Sequence, residues 1–169
     1  MSIMPIRIWG DPVLRTPCDP VTKFDGELQR LVDDMFETMY DAPGVGLAAN
    51  QVGVSLRLFV YDVGDGLKGV VANPVLEQFE GEQVGEEGCL SVPGLAYDRR
   101  RAMYATVSGA DVHGEPVRVA GEGLLARCFQ HETDHINGEI YVDKLDRGER
   151  KSALKAIREA DWAREPSVG

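Results

Sequence analysis

The chain has 169 residues, 43% of them hydrophobic and 27% charged, which fits one domain spanning residues 1–169 whose core needs no disulfide or metal staple. No apolar run approaches the ~18 residues of a membrane span, and Met1-Ser2-Ile3-Met4-Pro5-Ile6-Arg7-Ile8-Trp9 lacks the apolar stretch of a secretory signal, so a cytoplasmic protein with no membrane partner is expected. A net charge of −10 argues against a general nucleic-acid binder, and no specific nucleic-acid site is expected.

Residues 11–20 contain three prolines and read as irregular chain wrapping the surface. From Leu28 the apolar residues fall at Leu28, Leu31, Val32, Met35, Phe36 and Met39. This i, i+3, i+4, i+7 stripe predicts an amphipathic helix over 26–41, capped by Asp25 and ended by Ala42-Pro43-Gly44. Strand-like runs follow at 56–62, 69–76, 103–108 and 116–119, with turns at 64–66 and 111–114. A second helix is expected over 123–136, stopped by Asn137-Gly138. A third begins after Asp146, with Glu149 in a capping arrangement, and runs to about Ala163. Helices at both ends with mostly antiparallel strands between them predict an α+β fold.

Charge is unevenly spread. Residues 1–98 carry six basic and sixteen acidic side chains, whereas residues 99–169 carry twelve of each, so any basic surface belongs to the second half. Three thiols, Cys18, Cys89 and Cys128, cannot all pair, which favours a reducing compartment and at least one functional thiol.

The sharpest chemical signal is His131-Glu132-Thr133-Asp134-His135. Four residues advance a helix by about 400° and ~6 Å, so both imidazoles project from one face, one turn apart. They can then share a metal ion at about 2.0–2.1 Å, with Glu132 near its open side. The competing reading is an exposed helix with two incidental histidines. A third ligand is needed, and Cys128 lies ~7–8 Å too far along the helix axis to serve, so it reads as a small buried residue. Cys89, in Glu86-Glu87-Gly88-Cys89-Leu90-Ser91-Val92-Pro93-Gly94, is the better candidate, because Gly88 permits close backbone approach. A His₂Cys set leaves a fourth position open for catalysis, while a buried structural thiol remains the alternative for Cys89. Cys18 reads as structural or incidental, and His113 as a solvent-facing turn residue.

Gly44-Val45-Gly46-Leu47-Ala48-Ala49-Asn50-Gln51-Val52-Gly53 keeps its backbone narrow, as a substrate cleft or tight helix–sheet packing would require. It lacks the Gly-Lys-Ser/Thr ending of a phosphate loop. Gln51 offers a side-chain amide that can donate to a developing oxyanion.

Together, Gly-Val-Gly-Leu-Ala-Ala-Asn-Gln (44–51), Glu-Gly-Cys-Leu-Ser (87–91) and Gln-His-Glu-Thr-Asp-His (130–135) resemble the three signature motifs of peptide deformylase, in order. The segment Val-Asp-Asp-Met-Phe-Glu-Thr-Met-Tyr (32–40) resembles bacterial members too, and the likeness runs from about Ile6 to the C-terminal helix. The resemblance implies hydrolysis of the N-formyl group from formyl-methionine at the start of newly made proteins. It implies a mixed α+β fold and one divalent metal ion, Fe2+, for which Zn2+, Ni2+ or Co2+ can substitute. Cys89, His131 and His135 would be the ligands, Glu132 the acid/base residue, and Gln51 with the Leu90 backbone N–H the oxyanion hole. Val45, Leu124 and Cys128 would line the methionine pocket, with Gly46 and Gly88 in the substrate-binding backbone. Two positions depart from the pattern: Ala96 stands where some bacterial members carry a substrate-contacting arginine, and Arg127 where an apolar pocket residue is often found. The run Arg99-Arg100-Arg101 is expected to be a solvated turn, the alternative being that it replaces the contact missing at Ala96. Residues 147–164 hold six basic and three acidic side chains, so this helix is expected either to dock on the ribosome or to be merely solvated. The rival readings are a His-Glu-x-x-His zinc endopeptidase and a non-enzymatic structural metal site.

Overall fold

A computed structural model describes residues 2–164. Helix α1 (Gly26–Asp41) starts where Asp25 accepts a hydrogen bond from the Leu28 backbone N–H, and its Leu28, Val32, Met35 and Met39 face inward as their spacing requires. Seven strands follow: β1 (Gly46–Ala48), β2 (Leu58–Asp62), β3 (Lys68–Glu80), β4 (Gln83–Cys89), β5 (Val92–Arg101), β6 (Tyr104–Ala110) and β7 (Pro116–Glu122). They form an antiparallel five-stranded sheet in the order β1-β2-β3-β6-β7 and a separate β4-β5 hairpin. Helix α2 (Leu124–Ile136) begins at Gly123, whose φ of 57° an L side chain would resist. It lies across the five-stranded sheet, with Phe129 packed against Phe59 and Tyr61. Between α1 and the sheet sits a second apolar cluster, which includes Met35, Met39, Leu47, Leu58 and Val60.

Helix α3 (Arg147–Glu159) buries Ala153 and Ile157 in a third cluster with Val92 and Tyr141. The chain breaks at Ala160 before a short α4 (Asp161–Arg164), so the helix expected to run unbroken to about Ala163 is in two pieces. Trp162 donates its indole N–H to the Pro93 carbonyl, tying α4 to the hairpin. Asp146 makes no side-chain cap; its carboxylate lies 3.5 Å from Arg100 instead. The proline-rich segment is more firmly held than its composition suggests, since Leu14 and Cys18 are both buried. Arg99-Arg100-Arg101 is not a solvated turn. It ends β5, where alternation exposes Arg100 and buries Arg101. No helix among the described residues is long and apolar enough to cross a membrane.

Candidate metal centre and active site

Helix periodicity brings His131 and His135 to one face of α2, with their Nε2 atoms 3.2 Å apart. The β4-β5 turn delivers Cys89 to the same point, its Sγ 3.2 Å from His135 Nε2. All three donor atoms lie within 4.8 Å of one another. Donors around a tetrahedral ion at ordinary zinc distances are spaced by ~3.3–3.6 Å, so this soft sulfur with two imidazoles fits a divalent transition metal. Burial, then the neighbouring His131, pushes His135 well below the ordinary imidazole range, which favours the neutral form that ligates. Among the described residues no fourth His, Cys, Asp or Glu joins the group.

Gln51 sits in a 3₁₀ turn (Ala49–Val52) directly after β1. Its Oε1 accepts from the Ala48 backbone N–H at 3.0 Å, which turns Nε2 toward Ser91 Oγ (3.1 Å) and Cys89 Sγ (3.7 Å). Asn50 locks this turn to α2 by donating to the His135 carbonyl at 2.6 Å. Glu132 is almost fully buried, and its Oε1 has no hydrogen-bond partner among the described residues. Burial chiefly raises its carboxyl, to about 7, against the lowering pull of His131. A Cβ on Gly46 would lie 2.5 Å from Glu132 Oε2 and 2.8 Å from Cys128 Sγ, so only glycine lets β1 run this close to the acid. A cavity of about 390 Å³ opens here, bordered by Val45, Gly46, Gln51, Leu90, Glu132 and the Cys89–His131 side of the metal group.

Glu87 organises the back of the centre. It accepts from His131 Nδ1 at 2.7 Å, from Arg101 Nε and Nη2 at 3.0 and 2.7 Å, and from Arg127 Nη1 at 2.8 Å. Burial would raise its carboxyl, but the hydrogen bonds from His131 and Arg101 more than reverse this and hold it well below the usual range. Arg101 also reaches Asp134 at 2.7 Å, so one guanidinium clamps β4 to the metal-bearing helix. Such a carboxylate partner fixes a histidine's tautomer and ring orientation for ligation. The sequence reading overlooked Glu87 and Arg101. Strand alternation was the available signal: Glu87 stands two residues before Cys89, on the same face.

The family model described as Polypeptide deformylase matches residues 3–151. The chain belongs to that family. A peptide deformylase from Acidothermus cellulolyticus is 59% identical over 163 residues, covering 96% of this chain and 90% of the relative. One from Parafrankia sp. is 56% identical over 167 residues, covering 98% and 91%. Among solved structures, a peptide deformylase from Legionella pneumophila superposes with a TM-score of 0.87 at 46% identity, covering 97% of this chain and 99% of that one. The Synechococcus elongatus peptide deformylase in complex with actinonin gives 0.87 at 40%, covering 96% and 92%. Membership supports the deformylase reading, and neither the endopeptidase nor the structural-site alternative draws support from it.

Within this deformylase-family chain, Val45, Gly46, Gly88, Leu90, Leu124 and Cys128 all border the cavity on the Cys89–His131 side of the metal group. Cys128 is outside the three-donor cluster, its Sγ 3.7 Å from the Val45 carbonyl. Cys18 packs in the core under α2, and His113 is exposed in its turn. Ala96 pairs with Gly88 across the hairpin and presents only a methyl group. Arg127 borders the cavity as well, with its charge turned toward Glu87.

Proposed function

We propose that this chain is a metal-dependent hydrolase that removes the N-formyl group from the terminal methionine of newly synthesised proteins and releases formate, residues 1–169 acting as one catalytic domain. The observation that carries the reading is the convergence of Cys89 Sγ with two imidazole Nε2 atoms beside a buried Glu132 oxygen that has no partner among the described residues. Cys89, His131 and His135 would hold one divalent ion, Fe2+ by family resemblance, with Zn2+, Ni2+ or Co2+ as substitutes. When bound, such an ion polarises the formyl carbonyl and acidifies water.

The chain's own groups supply the rest. Glu132 takes the proton of the attacking water and passes it to the leaving amine. Gln51 Nε2 and the Leu90 backbone N–H donate to the oxygen that becomes negative, each such donor being worth about 3 kcal/mol in the transition state. Leu124, Val45 and Cys128 receive the methionine side chain, while Gly46 and Gly88 keep the walls close. A formyl carbon bears only hydrogen, so this narrow approach admits it and excludes bulkier acyl groups. The natural substrates are nascent formyl-methionyl chains in the cytoplasm, and the basic outer face of α3 is the surface offered to the ribosome. Formate release from formyl-Met-Ala-Ser without cleavage of internal peptide bonds is the expected result; internal cleavage without formate would overturn the assignment in favour of an endopeptidase.

A further inference from the structure

Gln51 serves an oxyanion only if an N–H of its amide points toward the metal group, and the structure holds that amide at two points. Oε1 accepts from the Ala48 backbone N–H at 3.0 Å, and Nε2 donates to Ser91 Oγ at 3.1 Å. A primary amide carries two N–H hydrogens. With one on Ser91, the second has only Cys89 Sγ among the described residues, at 3.7 Å, a long contact to a weak acceptor within the metal group. Among those residues Gln51 borders the cavity and Ser91, fully buried, does not. Both main chains are held independently of this side-chain bond. The Gln51 carbonyl accepts from the Arg7 N–H at 2.7 Å and the Ser91 carbonyl from the Trp9 N–H at 2.8 Å, while the Ser91 N–H donates to Cys89 Sγ at 3.4 Å.

Resting on the deformylase reading above, we infer that Ser91 is a positioning residue for Gln51: its hydroxyl oxygen engages one amide hydrogen so that the other is aimed at the oxygen that becomes negative. The last torsion of a glutamine side chain is broad and roughly two-fold, so the Ala48 bond alone leaves Nε2 free to swing about Oε1. The Ser91 bond supplies the second point of attachment. It fixes the amide before substrate arrives, which lets such a donor act without reorganising as charge develops. Alanine at this position would keep the backbone contacts and nearly the same volume but offer Nε2 no acceptor. An interaction realised only in the transition state shows in kcat and leaves KM in place.

The test measures kcat and KM on formyl-Met-Ala-Ser for wild type, Ser91→Ala, Gln51→Ala and the double variant, with turnover expressed per bound metal. Ser91→Ala is expected to lower kcat by about fivefold or more with KM held within about twofold. In the Gln51→Ala background the same replacement should cost less than about twofold, because the group it positions is gone. A merely structural role would cost the same in both backgrounds. A smaller loss in the single variant, a loss carried by KM, or a loss of about twofold or more in the Gln51→Ala background would overturn the inference. A second measurement needs no turnover: hydrogen exchange of the Gln51 side-chain amide in the zinc-loaded protein, assigned by its absence from the Gln51→Ala spectrum. In wild type it is expected to exchange about tenfold or more slower than the amide of exposed Gln29, and Ser91→Ala to lose most of that protection. Faster exchange in wild type would overturn the inference even if Ser91→Ala does not fold, as would protection unchanged in a folded Ser91→Ala. These results leave wild-type hydrolysis of formyl-Met-Ala-Ser intact; failure of wild type on that peptide would instead defeat the deformylase reading, and this inference with it.

Discussion

At the scale of single residues, Gly46 and Glu87 set the positions of Glu132 and His131. Gly46 lets β1 pass against Glu132, and a methyl group there meets the carboxylate at 2.5 Å. Gly46→Ala should therefore leave the circular dichroism spectrum unchanged while lowering kcat on formyl-Met-Ala-Ser by about a hundredfold, the scale of a misplaced catalytic group. Glu87 balances Arg101, Arg127 and the His131 ring in a buried cluster. Glu87→Gln leaves the buried Arg127 without its counter-charge and Arg101 with Asp134 alone, which costs about 3–5 kcal/mol of stability. Losing the carboxylate behind His131 should also weaken metal retention about 10–100-fold. Urea unfolding and metal stoichiometry after dialysis check the two effects separately, and unchanged retention would show that Glu87 does not orient the ligand.

At the scale of elements, the β4-β5 hairpin supplies Cys89 and Glu87 and was the part least visible in the sequence. Helices α1 and α2 were legible because a 3.6-residue period repeats over three turns, and the three motifs singled out Gln51, Cys89, Glu132 and both histidines as candidates. The hairpin was not, because its inward positions include Glu87, Arg99 and Arg101, charges whose burial depends on partners far along the chain. Pairing of Glu87 with Arg127 spans forty residues and leaves no local trace. β1 is three residues long in a glycine-rich segment, too short for alternation to register. Helix α3 presents Arg150, Lys151 and Lys155 outward while Ala153 and Ile157 pack under the hairpin. Deleting α3 would uncover Val92 beside the Cys89 turn, so surface charge reversal is the cleaner probe of ribosome docking. Replacing Arg150, Lys151 and Lys155 together with Glu should reduce ribosome co-sedimentation at low salt severalfold and leave tripeptide hydrolysis within about twofold. Unaltered co-sedimentation would mark α3 as a solvated helix.

At the scale of the whole molecule, three free thiols sit in three environments, and only Cys89 is placed for chemistry. Burial pushes the Cys18 and Cys128 thiols upward, Cys128 well above the ordinary range. Since the thiolate is the nucleophile, their alkylation by iodoacetamide in the folded protein should stay slow at pH 8 and rise only at higher pH, as mass spectrometry of the labelled chain would read. Cys89→Ser should strip the metal, and Cys18→Ser and Cys128→Ser should not, because a neutral hydroxyl poorly replaces a thiolate. The α+β frame thus gathers a thiol from a hairpin, two imidazoles from a helix and an amide from a glycine-rich turn around one buried acid. The most direct test of that arrangement is formate release by metal-loaded Glu132→Gln beside wild type, with metal content measured on the same samples. The arrangement predicts one equivalent of metal in both proteins and turnover reduced by about 10³-fold or more in the variant; turnover within tenfold of wild type, or a variant that cannot hold metal, would contradict it.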